Sequence, residues 1–334
     1  MISFGAVSVS FIPVLALLLA LILLDSYKLI GLRAVLLTMV AGGIAALVSF
    51  GIARLALHVA FINPVILSRY IAPVVEETLK AACVVYLFRA HRVGFMVDAA
   101  IYGFAVGTGF ALVENLYYLH QMTGATFIVW IIRGFGTAAI HGATMAMFAV
   151  ISKTVADRRN SLSPGVFVPG LIMAIVTHSL YNHFILSPIL STVVILIVLP
   201  LLVVAVFERS ERATRRWLGV GFDADQEILR LLSAGEISES PIGRYLESLR
   251  THFPGTVVAD MFCYLTLHTE LALRAKGIMM MREAGIKPPP DPEIAAKLNE
   301  MQFLERSIGK TGRLAIQPFL HTSARDIWQL KTIQ

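Results

Sequence analysis

Residues 188–216 read PILSTVVILIVLPLLVVAVFERSERATRR, twenty positions without a charge followed by six charges in nine. A bilayer core about 30 Å thick takes roughly 20 apolar residues of helix, so the first part reads as a span and the second as its exit into water. Charge density divides the whole chain at this point. Residues 1–207 hold 11 Lys/Arg and 6 Asp/Glu, whereas residues 208–334 hold 17 and 16. Over all 334 residues, hydrophobic residues make up 57% and charged ones 15%, which places the chain outside the range of ordinary soluble proteins. The formal net charge of +6 divides into +5 before position 208 and +1 after it. The basic balance therefore belongs to the membrane part, and no nucleic-acid partner is expected.

Upstream of 188, the same template places spans at about 4–24, 34–53, 70–88, 93–119, 134–152 and 165–187. The expected fold is all-α: a polytopic bundle of about seven spans over 1–207, with an eighth left open, and a C-terminal cytoplasmic helical domain over 208–334. The stretch 54–69 is apolar but broken by Asn63-Pro64, and it reads as an interfacial or re-entrant segment rather than that eighth span. The run from Phe4 to Leu24 lacks a basic leader and a small-residue cleavage pattern, so it reads as a retained helix. Loop cations fix the expected orientation. Lys28, Arg33, Arg89, Arg92, Lys153, Arg158, Arg159, Arg209, Arg212, Arg215 and Arg216 fall on one side, against Arg54, Arg69 and Arg133 on the other. By the positive-inside rule the N-terminus lies outside and the C-terminus in the cytoplasm.

After residue 207, Ser240-Pro241 and Asp291-Pro292-Glu293 each set a capping side chain before a proline at a first helical position. Residues 256–283 read as one long helix, because Asp260, Glu270, Arg274 and Lys276 make insertion costly. Met279–Met281 read as core of this domain. Its charge and its lack of catalytic motifs point to a cytoplasmic protein partner for residues 208–334. Cys83 and Cys263 support no disulfide framework or CxxC zinc site, and the chain has no Walker motif, GxGxxG or HExxH.

The informative residues are ionisable ones inside predicted spans, each costing several kcal/mol in hydrocarbon. The third span carries Glu76-Glu77-Thr78-Leu79-Lys80, the fourth Asp98 and Glu114-Asn115, the fifth His141-Gly142, and the sixth His178 with Asn182. Glu76 and Lys80 are four apart and expected to pair, leaving Glu77 without a local partner. Counted inward at 1.5 Å per residue, Glu76, Glu77, Glu114, His141, His178 and Asn182 all lie roughly 8–14 Å from the outer membrane edge. Asp98 lies near the other end. Taken singly, each has a blander reading: a neutralising pair, a satisfied interhelical histidine, or Gly103, Gly107 and Gly109 allowing close packing. Together they predict one polar pocket. A partly desolvated carboxylate can take a proton from water, a histidine can share it, and a histidine beside an asparagine can stabilise an oxyanion. No Ser or Cys stands in an evident nucleophile–base pairing, so the expected chemistry is hydrolysis of an amide bond by activated water. A proton- or ion-coupled transporter and a non-catalytic receptor with a signalling tail are the competing classes.

These residues carry a family resemblance. Glu76-Glu77-Thr78-Leu79-Lys80 resembles the EExxK motif of the PrsW family of bacterial intramembrane proteases, and residues 98–115 (DAAIYGFAVGTGFALVEN) resemble that family's second block. His141-Gly142 and His178-xxx-Asn182 complete the order, so the resemblance covers about residues 65–187. PrsW proteins are similar to the CAAX prenyl protease and Abi superfamily. The resemblance implies Glu76 as the leading water activator, with Glu77 assisting and His141 sharing the proton. It implies Glu114 in support and His178 with Asn182 facing the substrate carbonyl. Lys80, in EExxK rather than the superfamily's EExxxR, is a supporting residue with Asn115 and Asp98. It also implies a bacterial cytoplasmic-membrane enzyme that cuts a single-pass membrane protein, such as an anti-sigma factor, near the outer face. Water activation without a cofactor is the expectation, and glutamates with two histidines leave a divalent metal such as zinc open.

Overall fold

The computed structural model of the protein describes residues 4–27, 30–58, 61–122, 124–233 and 240–320. Lys28, one of the cations that set the expected orientation, lies outside them. The described residues are helical and contain no strand. In chain order the helices are α1 (Phe4–Leu24), α2 (Leu32–His58) and α3, which starts as Pro64–Ile66, widens into a π-helical turn at Leu67–Ile71 and continues as Ala72–Arg89. Next come α4 (Met96–Gln121) and α5, built from Phe127–Ile131, a second π-helical turn at Ile132–Thr137, and Ala138–Arg159. They are followed by α6 (Val168–Asn182), α7 (Pro188–Ser233), α8 (Pro241–Leu249), α9 (Gly255–Glu283) and α10 (Glu293–Ile316). The chain forms two compact units, Met1–Ser210 and Glu211–Gln334.

The first unit is inside-out relative to a soluble protein. It turns Leu37, Leu47 and Leu201 outwards at 61%, 62% and 66% exposure, while Glu77, Lys80 and Asp98 are fully buried. That distribution suits hydrocarbon as solvent. Six helices are long and apolar enough to cross a membrane. The continuous α3 makes a seventh long helix, and the charges Glu76, Glu77, Lys80 and Arg89 keep it from reading as apolar. The stretch 54–69 is divided between two helices rather than forming a segment of its own. Residues 54–58 complete α2, and Pro64 opens α3, with Asn63 Oδ1 accepting from the Val65 amide at 2.8 Å. Asn63-Pro64 is thus a helix start. The sixth span also ends earlier than expected, at Asn182.

Helix α4 is the axis of this unit, buried at every residue from Val97 to Ala111. Its glycines let neighbouring backbones touch it. A Cβ on Gly103 would stand 2.3 Å from the Met145 carbonyl oxygen and one on Gly107 2.1 Å from that of His141, so α5 closes on one side. On the other side, Gly109 meets the Met39 carbonyl of α2 at 1.8 Å by the same measure. Without a hydrophobic drive between helices in lipid, such close approach is how helices hold together.

The second unit has a core of its own, in which Met261, Tyr264 and Leu271 of α9 pack with Leu298, Met301, Leu304 and Ile308 of α10. The first expected cap is present, with Ser240 Oγ accepting from the Gly243 amide at 3.0 Å; at the second, Pro292 is itself the N-cap, and Asp291 Oδ1 accepts from the Glu293 amide at 3.0 Å from one residue further out. A buried Lys276–Asp225 pair at 2.6 Å lies beside Trp217. Of the three methionines expected in the core, only Met279 is buried, because Met280 and Met281 follow it around the helix to the outside.

Gly107→Ala is expected to cost about 1–3 kcal/mol, since its methyl would collide with backbone rather than with a flexible side chain. Gly51→Ala, whose added carbon would meet nothing within 4 Å, should unfold like the wild type. Thermal unfolding of both variants in detergent measures the difference, and equal midpoints would contradict the packing.

Candidate active site

Two π-helical turns stand just before the charged positions, Leu67–Ile71 ahead of Glu76 and Ile132–Thr137 ahead of His141. The first has a cause in the sequence. Pro73 has no N–H to return to Ser68 or Arg69, so the helix widens and their carbonyls lack a backbone donor. Side chains of α6 supply the donors: Asn182 Nδ2 bonds Ser68 O at 2.9 Å and Ser179 Oγ bonds Arg69 O at 2.6 Å. These two bonds dock α6 on α3 and bring His178 to the glutamate pair. One of the two Asn182 amide donors is thereby used on backbone.

The glutamate pairing is the reverse of the expected one. Lys80 Nζ lies 2.5 Å from Glu77 Oε1, three residues away, and not on Glu76. The same Glu77 oxygen is 2.6 Å from His178 Nδ1. Lys80 Nζ also reaches His141 Nδ1 at 3.0 Å and sits 4.5 Å from the centre of the Phe110 ring. His141 Nε2 meets Glu114 Oε2 at 3.1 Å, and the two histidine rings pack edge-on, 4.9 Å apart. Glu76 keeps Oε2 buried with no hydrogen-bond partner, 3.9 Å from His178 Nε2. The structure therefore brings together Glu76, Glu77, Lys80, Glu114, His141 and His178.

Asp98 is elsewhere: its Oδ2 accepts from the amides of Gly94 and Phe95, capping the first turn of α4. Asn115 lies at the edge of the cluster, its Nδ2 bonded to Ser10 O of α1 at 2.8 Å. Arg133, which entered the sequence reading only as a loop cation, is a full member. Its Nη2 is 3.1 Å from Glu114 Oε2, its Nε 3.0 Å from Asn115 Oδ1, and its guanidinium lies 3.8 Å from the Tyr118 ring centre. The available signal was only its position one step before the predicted fifth span.

Lysine offers only donors, so its contact makes His141 Nδ1 an acceptor and places the ring proton on Nε2, towards Glu114. Glu77 likewise holds His178 at Nδ1 and leaves Nε2 facing Glu76. Each histidine is gripped at one nitrogen by a carboxylate and presents a lone pair at the other, as metal-binding histidines do. Glu76, His141 and His178 offer one ligand atom each, all within 4.8 Å of one another. The unpartnered Glu76 oxygen and this donor set fit a zinc-type ion. With neutral histidines, three carboxylates face two cations, Lys80 and Arg133. One negative charge is left for a proton or a cation to balance.

Lys80→Met is expected to cost about 3–5 kcal/mol, because it leaves Glu77 buried and unpaired. Glu76→Gln, which breaks no ion pair of that closeness, should cost far less. Thermal unfolding in detergent compares them, and similar losses would refute the observed pairing.

No curated protein and no solved structure matches the chain. A family model described as PrsW family intramembrane metalloprotease matches residues 30–207, more than half of the chain, spanning the helices that carry all of the cluster. The chain is therefore an integral, multi-pass membrane protein and belongs to the PrsW family of intramembrane proteases.

Proposed function

We propose that the protein is an intramembrane endopeptidase in which Glu76 activates the attacking water, either as the base that takes its proton or as a ligand of a divalent metal that would acidify it. The observation that carries this reading is Glu76 Oε2, buried, unpartnered and turned towards His178 Nε2 at 3.9 Å. A group that activates water needs a free lone pair, and Glu76 alone of the three glutamates makes no hydrogen bond: Glu77, whose Oε2 is also unpartnered, is held at Oε1 by Lys80 and His178, and Glu114 is held by Arg133 and His141. Glu77 orients His178, and Glu114 orients His141. Lys80 stabilises the charge on Glu77, and Asn182 with Ser179 holds α6 in place. Glu76, His141 and His178 would hold a divalent metal, with His141 exchanging its Lys80 contact. When bound, such an ion polarises the scissile carbonyl and acidifies water. The donor set and the unbalanced negative charge support this metal-assisted form over the cofactor-free one expected from the sequence.

The proposed substrate is a single-pass membrane protein, such as an anti-sigma factor, cut near the extracytoplasmic face of a bacterial cytoplasmic membrane. The excess of cations in the loops on one side supports that orientation. The second unit is proposed to recruit a cytoplasmic protein. Co-purification with full-length protein, lost on deleting residues 240–320 while cleavage persists, tests that role.

Glu76→Gln should lower cleavage of tagged single-pass reporters by about 100-fold or more at equal expression. Zinc should be present in the purified protein, and chelation should abolish cleavage until zinc is restored. Unchanged cleavage by Glu76→Gln would remove it from catalysis, and full activity after complete metal removal would return the reaction to the cofactor-free form.

A further inference from the structure

Arg133 is placed with more care than a charge balance alone requires. The π-helical turn that carries it is seated through two glycines: a Cβ on Gly134 would stand 1.9 Å from the Val9 carbonyl oxygen, and one on Gly136 2.5 Å from Thr192 Oγ1. Both a face and the edge of the guanidinium are used. Tyr118 lies against its face, while Nη2 and Nε reach two adjacent residues of α4, Glu114 and Asn115. Asn115 is itself anchored to Ser10 O of α1, so the fork cannot slide along α4. The Glu114 oxygen it holds, Oε2, is the one that meets His141 Nε2, each contact being 3.1 Å. Arg133 and Glu114 are both 13% exposed and His141 is 1% exposed, so little water is available to replace a lost contact.

We propose that Arg133 is a positioning residue of the proteolytic site: through Glu114 it fixes the ring of His141 with the proton on Nε2 and the Nδ1 lone pair turned towards Lys80. This rests on the proteolytic reading given above. Lysine would not substitute, because an ammonium lacks the planar fork that spans Glu114 and Asn115 together. Misplacing a reacting group by about 1 Å can cost on the order of a hundredfold. The expected signature is therefore a fall in kcat at near-constant KM.

The test uses full-length protein in proteoliposomes with a tagged single-pass reporter cut by the wild type, comparing Arg133→Lys, Arg133→Met, Glu114→Gln and the Arg133→Met/Glu114→Gln double variant. Arg133→Lys, which keeps the charge, should unfold near the wild-type temperature yet lose on the order of tenfold to a hundredfold in kcat. The double variant should be no slower than the slower single, since both residues act through one contact. A second readout is the ring-nitrogen spectrum of ¹⁵N-histidine-labelled protein, with the His141 signal assigned by its loss in His141→Gln. That signal should report an Nε2–H ring in the wild type and move in both Arg133 variants. Cleavage that persists in Glu76→Gln would remove Glu76 from catalysis, whereas no cleavage of any reporter by the wild type would overturn the proteolytic reading itself. If Glu76→Gln is inactive but both Arg133 variants keep wild-type kcat and an unmoved His141 signal, only the role of Arg133 is overturned. Additive losses in the double variant would also overturn it.

Discussion

Lys80 is the hinge of the charged cluster. Its ammonium, fully buried, bonds Glu77 on its own helix and His141 on another, and each bond decides a second one. Because Lys80 occupies Nδ1, His141 turns Nε2 to Glu114. Because it neutralises Glu77, that carboxylate can accept from His178. A cation of this kind is expensive to bury unless all its donors are used. Here the contacts tie α3 to α5 directly, and through Glu114 and His178 to α4 and α6. The charges that define the site also hold its four helices in register.

The backbone makes that arrangement possible from the other direction. Gly103 and Gly107 let α5 lie against α4 closely enough that the His141 carbonyl sits over Gly107, which puts its side chain within reach of Glu114 on the same helix. Pro73 performs a different service. By withholding an N–H it frees carbonyls that only a neighbouring helix can satisfy, and Ser179 and Asn182 do so one turn from His178. Packing and chemistry are thus set by the same few residues, and the two π-helical turns lie where helices must be adjusted to aim side chains inward.

Much of this was legible in the sequence, for identifiable reasons. Charges inside apolar spans are rare enough that Glu76, Glu77, Lys80, Glu114, His141 and His178 stood out, and their common depth announced one pocket. Small residues around Glu114 announced close packing. What stayed hidden was partner choice. Residues three and four apart are both neighbours on a helix, so spacing could not tell Glu77–Lys80 from Glu76–Lys80. Asn182 shares a face with His178, but the carbonyl that claims it belongs to Ser68, 114 residues earlier, which local spacing cannot reveal. Arg133 lay beside a span edge, where cations are ordinarily topological markers, and its inward turn depends on a π-helical turn with no proline to signal it.

The charge count gives the assembly its direction. In water, one unbalanced carboxylate is trivial. In a bundle that faces hydrocarbon, it is a standing demand for a positive partner, and the demand falls on Glu76, the glutamate of the cluster that makes no hydrogen bond. Moving Lys80 to Glu76 would satisfy that carboxylate but strip Glu77 and release His141, exchanging one unpaired charge for a disordered site. The arrangement therefore keeps its internal cations on the glutamates that orient the histidines and leaves Glu76 for a proton or a metal ion. A purely structural salt-bridge network would be expected to close on itself; this one stops one charge short, at the atom facing His178.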